Sequence, residues 1–236
     1  MTTSSGKALF QLLKSFAMFS LLNIKESYPS WNFLFMDKDI EDKLARIIKV
    51  LDERRNYLIS FGKEIYPDNN QIFEIFGKIA PQDIKKIIIF PHPYSYDSGT
   101  GIPIMINNER IPTRSLNNIL KVFGDARTND FSSIWENGLF FLNASMTEEG
   151  NSLVKIPHEV LWSTFIERFV SMMSESNKER GIDFIFTGLA GCKYKKFITI
   201  SNTSNRIIEA PPVTSKEFPR KLKEILLMDG ARISRD

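Results

Sequence analysis

"DIKKIIIFPHPYS", residues 83–95, decides how this chain folds. Its "IIIF" core is a continuous apolar run rich in β-branched residues. Such a run is a strand buried on both faces, which belongs to a parallel sheet rather than to a sheet with one wet side. Pro91 cannot donate to a strand ladder, so the strand ends there. In open α/β sheets ligands gather beyond the carboxyl ends of the strands. His92, one of two histidines in the chain, therefore stands where function is expected.

Working outward, apolar runs alternate with helical patterns. Towards the N-terminus, "DKDIEDKLARIIKVLDERRNYLISF" (37–61) reads as a helix capped by Asp37 or Asp39, with Ile40, Leu44, Ile47, Ile48, Leu51 and Leu58 as its buried stripe. "QIFEIFGKIAP" (71–81) reads as a short helix closed by Gly77 and Pro81. Towards the C-terminus come a helix at "SLNNILKVF" (115–123), a strand at "GLFFLNAS" (138–145), a helix at 158–176, a strand at "IDFIFTG" (182–188) and a fourth strand at "NRIIEA" (205–210). "SKEFPRKLKEILLMDG" (215–230) closes the chain as a helix with Pro219 in its first turn. The expected fold is a three-layer α/β/α arrangement around a four-stranded, mostly parallel sheet. Its strand ends are marked by His92 and Tyr94, Asn143, Gly188, and Pro211 to Ser215.

At 236 residues, 42% hydrophobic and 25% charged, the chain is an ordinary globular protein. Residues 1–30 are expected to form an N-terminal helical extension and 31–236 the main domain. Leu9, Leu12, Leu13, Phe16 and Phe19 fall at helical spacing, which suits a docked or partner-binding helix. That segment also has a weak likeness to a transit peptide, but it contains no Arg. The single Cys192 excludes an internal disulfide, and with only two histidines no metal or organic cofactor is implied. Without a secretion signal or a bilayer-length apolar run, an intracellular setting away from membranes is expected. The net charge of +3 is too small to demand a nucleic-acid partner. Two basic clusters, Lys193, Lys195 and Lys196 around Tyr194 and Arg220 to Lys223, are either DNA contacts or solvated faces. His158, at the start of its helix, is expected to cap it or face solvent.

The strand ends, in this order, resemble the family 1 uracil-DNA glycosylases. "FPHPYS" (90–95) stands where that family has Gly-Gln-Asp-Pro-Tyr-His and keeps Pro93 and Tyr94. "SGTGIPI" (98–104) looks like the loop of the family's poxviral branch. "TRSLNNI" (113–119) is similar to Pro-Ser-Leu-x-Asn-Ile, and "WENGLFFLNASMT" (135–147) to the family's Trp-x-x-x-Gly-Val-Leu-Leu-Leu-Asn stretch. "IFTGLAGCKYKK" (185–196) sits at its third strand and glycine turn. The resemblance implies that Asn143 hydrogen-bonds the uracil edge and that Tyr94 excludes the thymine methyl. It also implies that Ser115 touches a phosphate while Pro93 and Ile104 line the pocket. The plainer readings are a strand-end amide for Asn143 and a helix cap for Ser115.

Departures from the family pattern bear on activity. His92 stands in place of the water-activating Asp, Pro91 in place of the preceding Gln, and Ile104 in place of the Phe that stacks on uracil. "APPVTS" (210–215) replaces His-Pro-Ser-Pro-Leu, so Pro211 stands for the His that stabilises the leaving anion. Thr214 or Ser215 lies nearest the missing wedge Leu. A neutral imidazole cannot stabilise the positive sugar electrostatically as a carboxylate does. The first expectation is therefore a silenced glycosylase fold kept as a DNA-binding or replication-associated interaction module. DNA would be held mainly by phosphate contacts from Ser115, Lys193, Lys195, Lys196, Thr214 and Ser215. The alternative is an active, divergent glycosylase that uses His92 and Asn143. A third reading abandons DNA and leaves a protein scaffold.

Overall fold

The computed structural model describes residues 20–93, 100–105, 113–123, 131–150, 155–189 and 191–228. The helices are α1 (Leu21–Ser27), α2 (Asn32–Phe35), α3 (Lys38–Ile59), α4 (Arg114–Phe123), α5 (Ser132–Glu136), α6 (His158–Ser176) and α7 (Phe218–Leu227). The strands are β1 (Ile65–Tyr66), β2 (Lys86–Phe90), β3 (Leu139–Asn143), β4 (Glu148–Glu149), β5 (Asp183–Thr187) and β6 (Arg206–Ala210). Four strands form one parallel sheet in the order β3-β2-β5-β6. Every residue of β2, β3 and β5 is buried, as a sheet covered on both faces requires. The mixed α/β fold expected from the sequence is the one observed.

Aromatic packing anchors the sheet to its helices. Trp31 is fully buried with its ring 4.8 Å from Phe76, and its indole N–H donates to the Ile79 carbonyl. Phe140 of β3 stacks on Phe169 of α6 at 5.5 Å. Ile24 of α1 is buried in this same core, so α1 packs as part of the main domain. Residues 1–19, which carry the apolar positions of the expected N-terminal helix, lie outside the described residues.

The edge of the sheet opposite the catalytic candidates is pinned by charge. Lys86, Asp183 and Arg206 are the first residues of β2, β5 and β6 and stand in register with one another. Lys86 Nζ lies 2.7 Å from Asp183 Oδ2, and the Arg206 guanidinium grips both Asp183 oxygens at 2.5 and 2.7 Å. Lys86 and Asp183 are almost wholly buried, and charges so placed demand each other: stripping one partner is strongly destabilising.

Three details differ from the sequence reading. Residues 71–81 form short 3-10 turns, one at Glu74–Gly77 and another at Pro81–Asp83, instead of a helix. Ile72, Phe73, Ile75, Phe76 and Ile79 are buried while Glu74 and Lys78 face outward as an ion pair at 3.2 Å, so the expected buried face is present but is carried by tighter turns. The fourfold strand count gains an antiparallel pair, Ile65 opposite Glu149 and Tyr66 opposite Glu148. His158 neither caps α6 nor meets solvent: it is 2% exposed.

Candidate functional site

The parallel register puts Asn143, the last residue of β3, beside Phe90, the last of β2. The two chains stay tied past the strand ends, where Ala144 N donates to Phe90 O at 2.7 Å and Ser145 N to Pro91 O at 3.1 Å. His92 thus projects from the strand adjacent to Asn143. The backbone does the tying that the plainer reading gave to the Asn143 side chain. That side chain is 3% exposed, and its Oδ1 has no hydrogen-bond partner among the described residues. A buried carbonyl oxygen without a partner is costly, and natural structures tolerate few of them. Here it is a buried acceptor left without a partner among the described residues, at the carboxyl end of β3.

His92 is exposed, and its Nδ1 lies 2.9 Å from the Pro93 carbonyl oxygen. A carbonyl can only accept, so Nδ1 carries a proton in this contact and Nε2 is the ring nitrogen turned away from it. Pro93 is buried beneath it, and Tyr94 lies outside the described residues.

Ile104 is buried, with φ at +66°, in the left-handed region that a β-branched residue very rarely adopts. The strain is held by neighbours, since Thr113 Oγ1 donates to the Ile104 carbonyl at 3.3 Å. Thr113 also accepts from Leu116 N at 3.1 Å and so supplies the cap of α4 that Ser115 was offered for. Ser115 itself is 7% exposed. Gly101, in the loop before Ile104, packs directly on the chain: a Cβ there would fall 1.4 Å from the Gln71 carbonyl oxygen.

The basic turn after β5 is close by. Tyr194 is fully buried and its hydroxyl donates to Ala144 O at 3.3 Å, fastening the 3-10 helix Cys192–Phe197 to the residue next to Asn143. Two of the three lysines are engaged: Lys193 with Glu159 at 2.8 Å, and Lys195 with Glu209, which holds its ammonium above the usual range. Lys196 is exposed and lies 4.9 Å from the Phe197 ring. On the turn after β6, Thr214 is exposed and Ser215 half-buried. Asn118 of α4 staples this turn, donating to Val213 O at 2.7 Å and to Ser215 O at 3.0 Å.

Behind Asn143 lies a buried polar chain that sequence reasoning missed. The Trp162 indole N–H donates to Thr147 Oγ1 at 2.7 Å. Glu149 Oε1, which only accepts, faces His158 Nε2–H at 3.3 Å, so Nδ1 of the neutral ring accepts the Thr147 hydroxyl hydrogen at 2.8 Å. Glu149 is held bidentately by Arg54, both contacts 2.9 Å, and accepts from Ile156 N at 3.3 Å. Burial pushes the Glu149 carboxyl up, but Arg54, the Ile156 N–H and His158 together outweigh it and hold it below the usual range. Burial also pushes His158 down, further than Glu149 raises it, so it is kept neutral. A signal for this was present: His158, Trp162, Phe165, Ile166 and Phe169 share one helical stripe. The network lies within the segment that succeeds Asn143 and holds it against α6.

A groove of about 550 Å³ runs between α3 and α6, lined by Asp39, Lys43, Arg46, Glu167 and Arg168 among others. It contains none of the strand-end residues.

No family model matches the chain. Among curated proteins, it is 25% identical over 200 residues to a uracil-DNA glycosylase of Caenorhabditis elegans, covering 80% of this chain and 68% of that one. It is 29% identical over 171 residues to the uracil-DNA glycosylase of Campylobacter jejuni, covering 68% and 71% respectively. The chain is thus similar in sequence to uracil-DNA glycosylases over about two thirds or more of its length. Solved structures bear out the fold: mimivirus uracil-DNA glycosylase superposes with a TM-score of 0.64 at 16% identity, over 86% of this chain and 84% of that one. A variant of the mimivirus protein, in complex with UGI, matches with the same TM-score at 17% identity, over 78% and 69%.

These relatives correct the first expectation, that this glycosylase fold is silenced and survives as a binding module. They are named as uracil-DNA glycosylases, and here the buried Asn143 amide stands at the end of β3 with His92 just beyond β2. Nematode, bacterial and herpesviral relatives alike give no reason to prefer a replication-associated or viral setting.

Proposed function

We propose that this protein is an active uracil-DNA glycosylase that hydrolyses the N-glycosidic bond of deoxyuridine. The observation that carries the reading is the unpartnered, buried Oδ1 of Asn143 at the end of β3. An Asn amide offers an acceptor and a donor side by side, the complement of the N3–H and O4 of uracil. An enzyme acting on a base must extrude it into such a pocket and read its pairing edge.

His92 activates the water. Its Nε2 lone pair accepts the proton as the oxygen adds to C1′ and the C1′–N1 bond breaks. Uracil departs with the bonding electron pair as an N1 anion and takes a proton from solvent. The chain has no carboxylate at this position to stabilise the sugar cation. One well-placed electrostatic group is worth roughly 10² to 10³ in rate, and turnover is expected to be slower by about that factor than with such a group present. DNA is held through phosphate contacts, for which exposed Lys196 and the exchangeable ion pair of Lys193 offer support, so binding weakens steeply with salt.

The test is release of labelled uracil from an oligonucleotide with enzyme in excess, comparing wild type, His92→Ala and Asn143→Ala. Release by wild type, lost in both variants, is expected. Absence of release by wild type refutes the reading, and full activity in His92→Ala refutes the role of that residue.

A further inference from the structure

We infer that Thr147 is a positioning residue for the strand-end site: its buried hydroxyl braces the bend that ties the segment carrying His92 to the segment carrying Asn143. The effect on catalysis rests on the glycosylase reading above, whereas the brace itself is a matter of geometry.

The bend is residues 144–147, which run without regular structure from β3 to β4. All four are buried, Ala144 and Thr147 fully so. Buried backbone outside a ladder has to find its hydrogen bonds elsewhere, and where they go decides the shape of the bend. The first two N–H groups reach the neighbouring strand exit, Ala144 N to Phe90 O and Ser145 N to Pro91 O. Pro91 has no N–H of its own, so its carbonyl is the one backbone group by which the residue before His92 can be tied. Ser145 turns its hydroxyl forward to the Thr147 carbonyl at 2.7 Å. The bend therefore joins Asn143, which precedes it, to the backbone next to His92, and Thr147 is its far end.

At Thr147 the bend meets the rigid part of the fold. The hydroxyl is used once in each direction, accepting from the Trp162 indole and donating to His158 Nδ1, both on α6. Through its other nitrogen the same imidazole faces Glu149, two residues further on. One ring thus holds positions 147 and 149 together, and Arg54 of α3 grips Glu149 with two more bonds. Polar groups buried this deeply and satisfied by one another rigidify the segment they hold. A valine would fill the same space, but the indole N–H and the ring nitrogen would lose their partner and the bend its anchor. The shift is passed to both sides of the site, through Asn143 and through Pro91.

The experiment compares the full chain as wild type, Thr147→Val, Thr147→Ser and His158→Phe. Thr147→Val keeps the shape and Thr147→Ser the hydroxyl, while His158→Phe keeps a ring but removes the acceptor. With two histidines in the chain, ring-nitrogen NMR resolves each, and His158→Phe leaves His92 as the sole signal. The His92 resonances are expected to move in Thr147→Val and His158→Phe and to stay in place in Thr147→Ser. In single-turnover assays on single-stranded DNA, Thr147→Val lowers the rate of uracil release by about 10- to 100-fold at unchanged DNA affinity, and Thr147→Ser stays close to wild type. Release of 5-fluorouracil, a better leaving group, falls less, and the ratio of the two rates does not depend on how much of the protein is folded. His92 resonances unmoved in both Thr147→Val and His158→Phe overturn the inference, and so does a wild-type ratio of the two rates in Thr147→Val. A displaced His92 signal in a protein that releases no uracil in any form leaves the brace standing and removes the glycosylase reading instead.

Discussion

Replacing Arg54 by Met and Glu149 by Gln tests how the segment behind Asn143 is held, because the two partners are buried unequally. The Glu149 side chain is fully buried, whereas that of Arg54 keeps 16% of its surface. Arg54→Met strands a carboxylate whose remaining contacts include Ile156 N and His158, each at 3.3 Å. Breaking a buried pair in this way costs about 3 to 5 kcal/mol. Glu149→Gln leaves Arg54 able to turn towards water and retains one carbonyl acceptor, so the loss is closer to about 1 to 3 kcal/mol. For a domain of this size each kcal/mol moves Tm by roughly 2 to 4 °C, so thermal melts resolve the two variants. The double variant is expected to be more stable than the sum of the single losses predicts, since removing both charges leaves neither unpaired. A Glu149→Gln variant less stable than Arg54→Met, or strict additivity, refutes the assignment of the cost to the stranded carboxylate.

Folding stability is expected to fall as pH drops below about 6.5, because unfolded His158 takes up a proton there while the buried ring resists it until a lower pH; melts from pH 8 to pH 5 measure the slope, which His158→Gln flattens. At Ile104 the usual order of substitutions inverts. Gly accepts the left-handed backbone that Ala resists by roughly 1 to 2 kcal/mol, so urea titration finds Ile104→Gly at least as stable as Ile104→Ala. Asn118→Ala removes two donors from the turn after β6 at a cost of about 1 to 3 kcal/mol. Hydrogen exchange then rises at Ser215, and unchanged exchange argues that the turn is held without the staple.

The parallel strands and the long helices were legible because each writes its own period. The stretch 158–176 was read end to end, and "IIIF" identified β2 from composition alone. The pair β1 and β4 was not legible, since two residues carry no periodicity. Asn143 and His92 could be named from their places at strand ends, but that Asn143 Oδ1 lacks a partner depends on backbone bonds between β2 and β3 that no local pattern encodes. His158 was misjudged because its partners Thr147 and Glu149 reach it from the strand side of the fold, and a position at the start of a helix usually means solvent. The lysine cluster was visible as charge, while its neutralisation by Glu159 and Glu209 depended on tertiary placement.

The Lys86, Asp183 and Arg206 cluster sits at the far end of the strands from the chemistry. Sliding any of these strands by one residue would part a buried carboxylate from its cations, so the alignment of β2, β5 and β6 is held there independently of the side chains at the other end. Positions such as Pro91, His92, Pro211 and Thr214 can therefore be exchanged without shifting strand against strand. A library randomised across that rim should yield mostly folded proteins, and new base specificities could be sought in it without first rebuilding the scaffold.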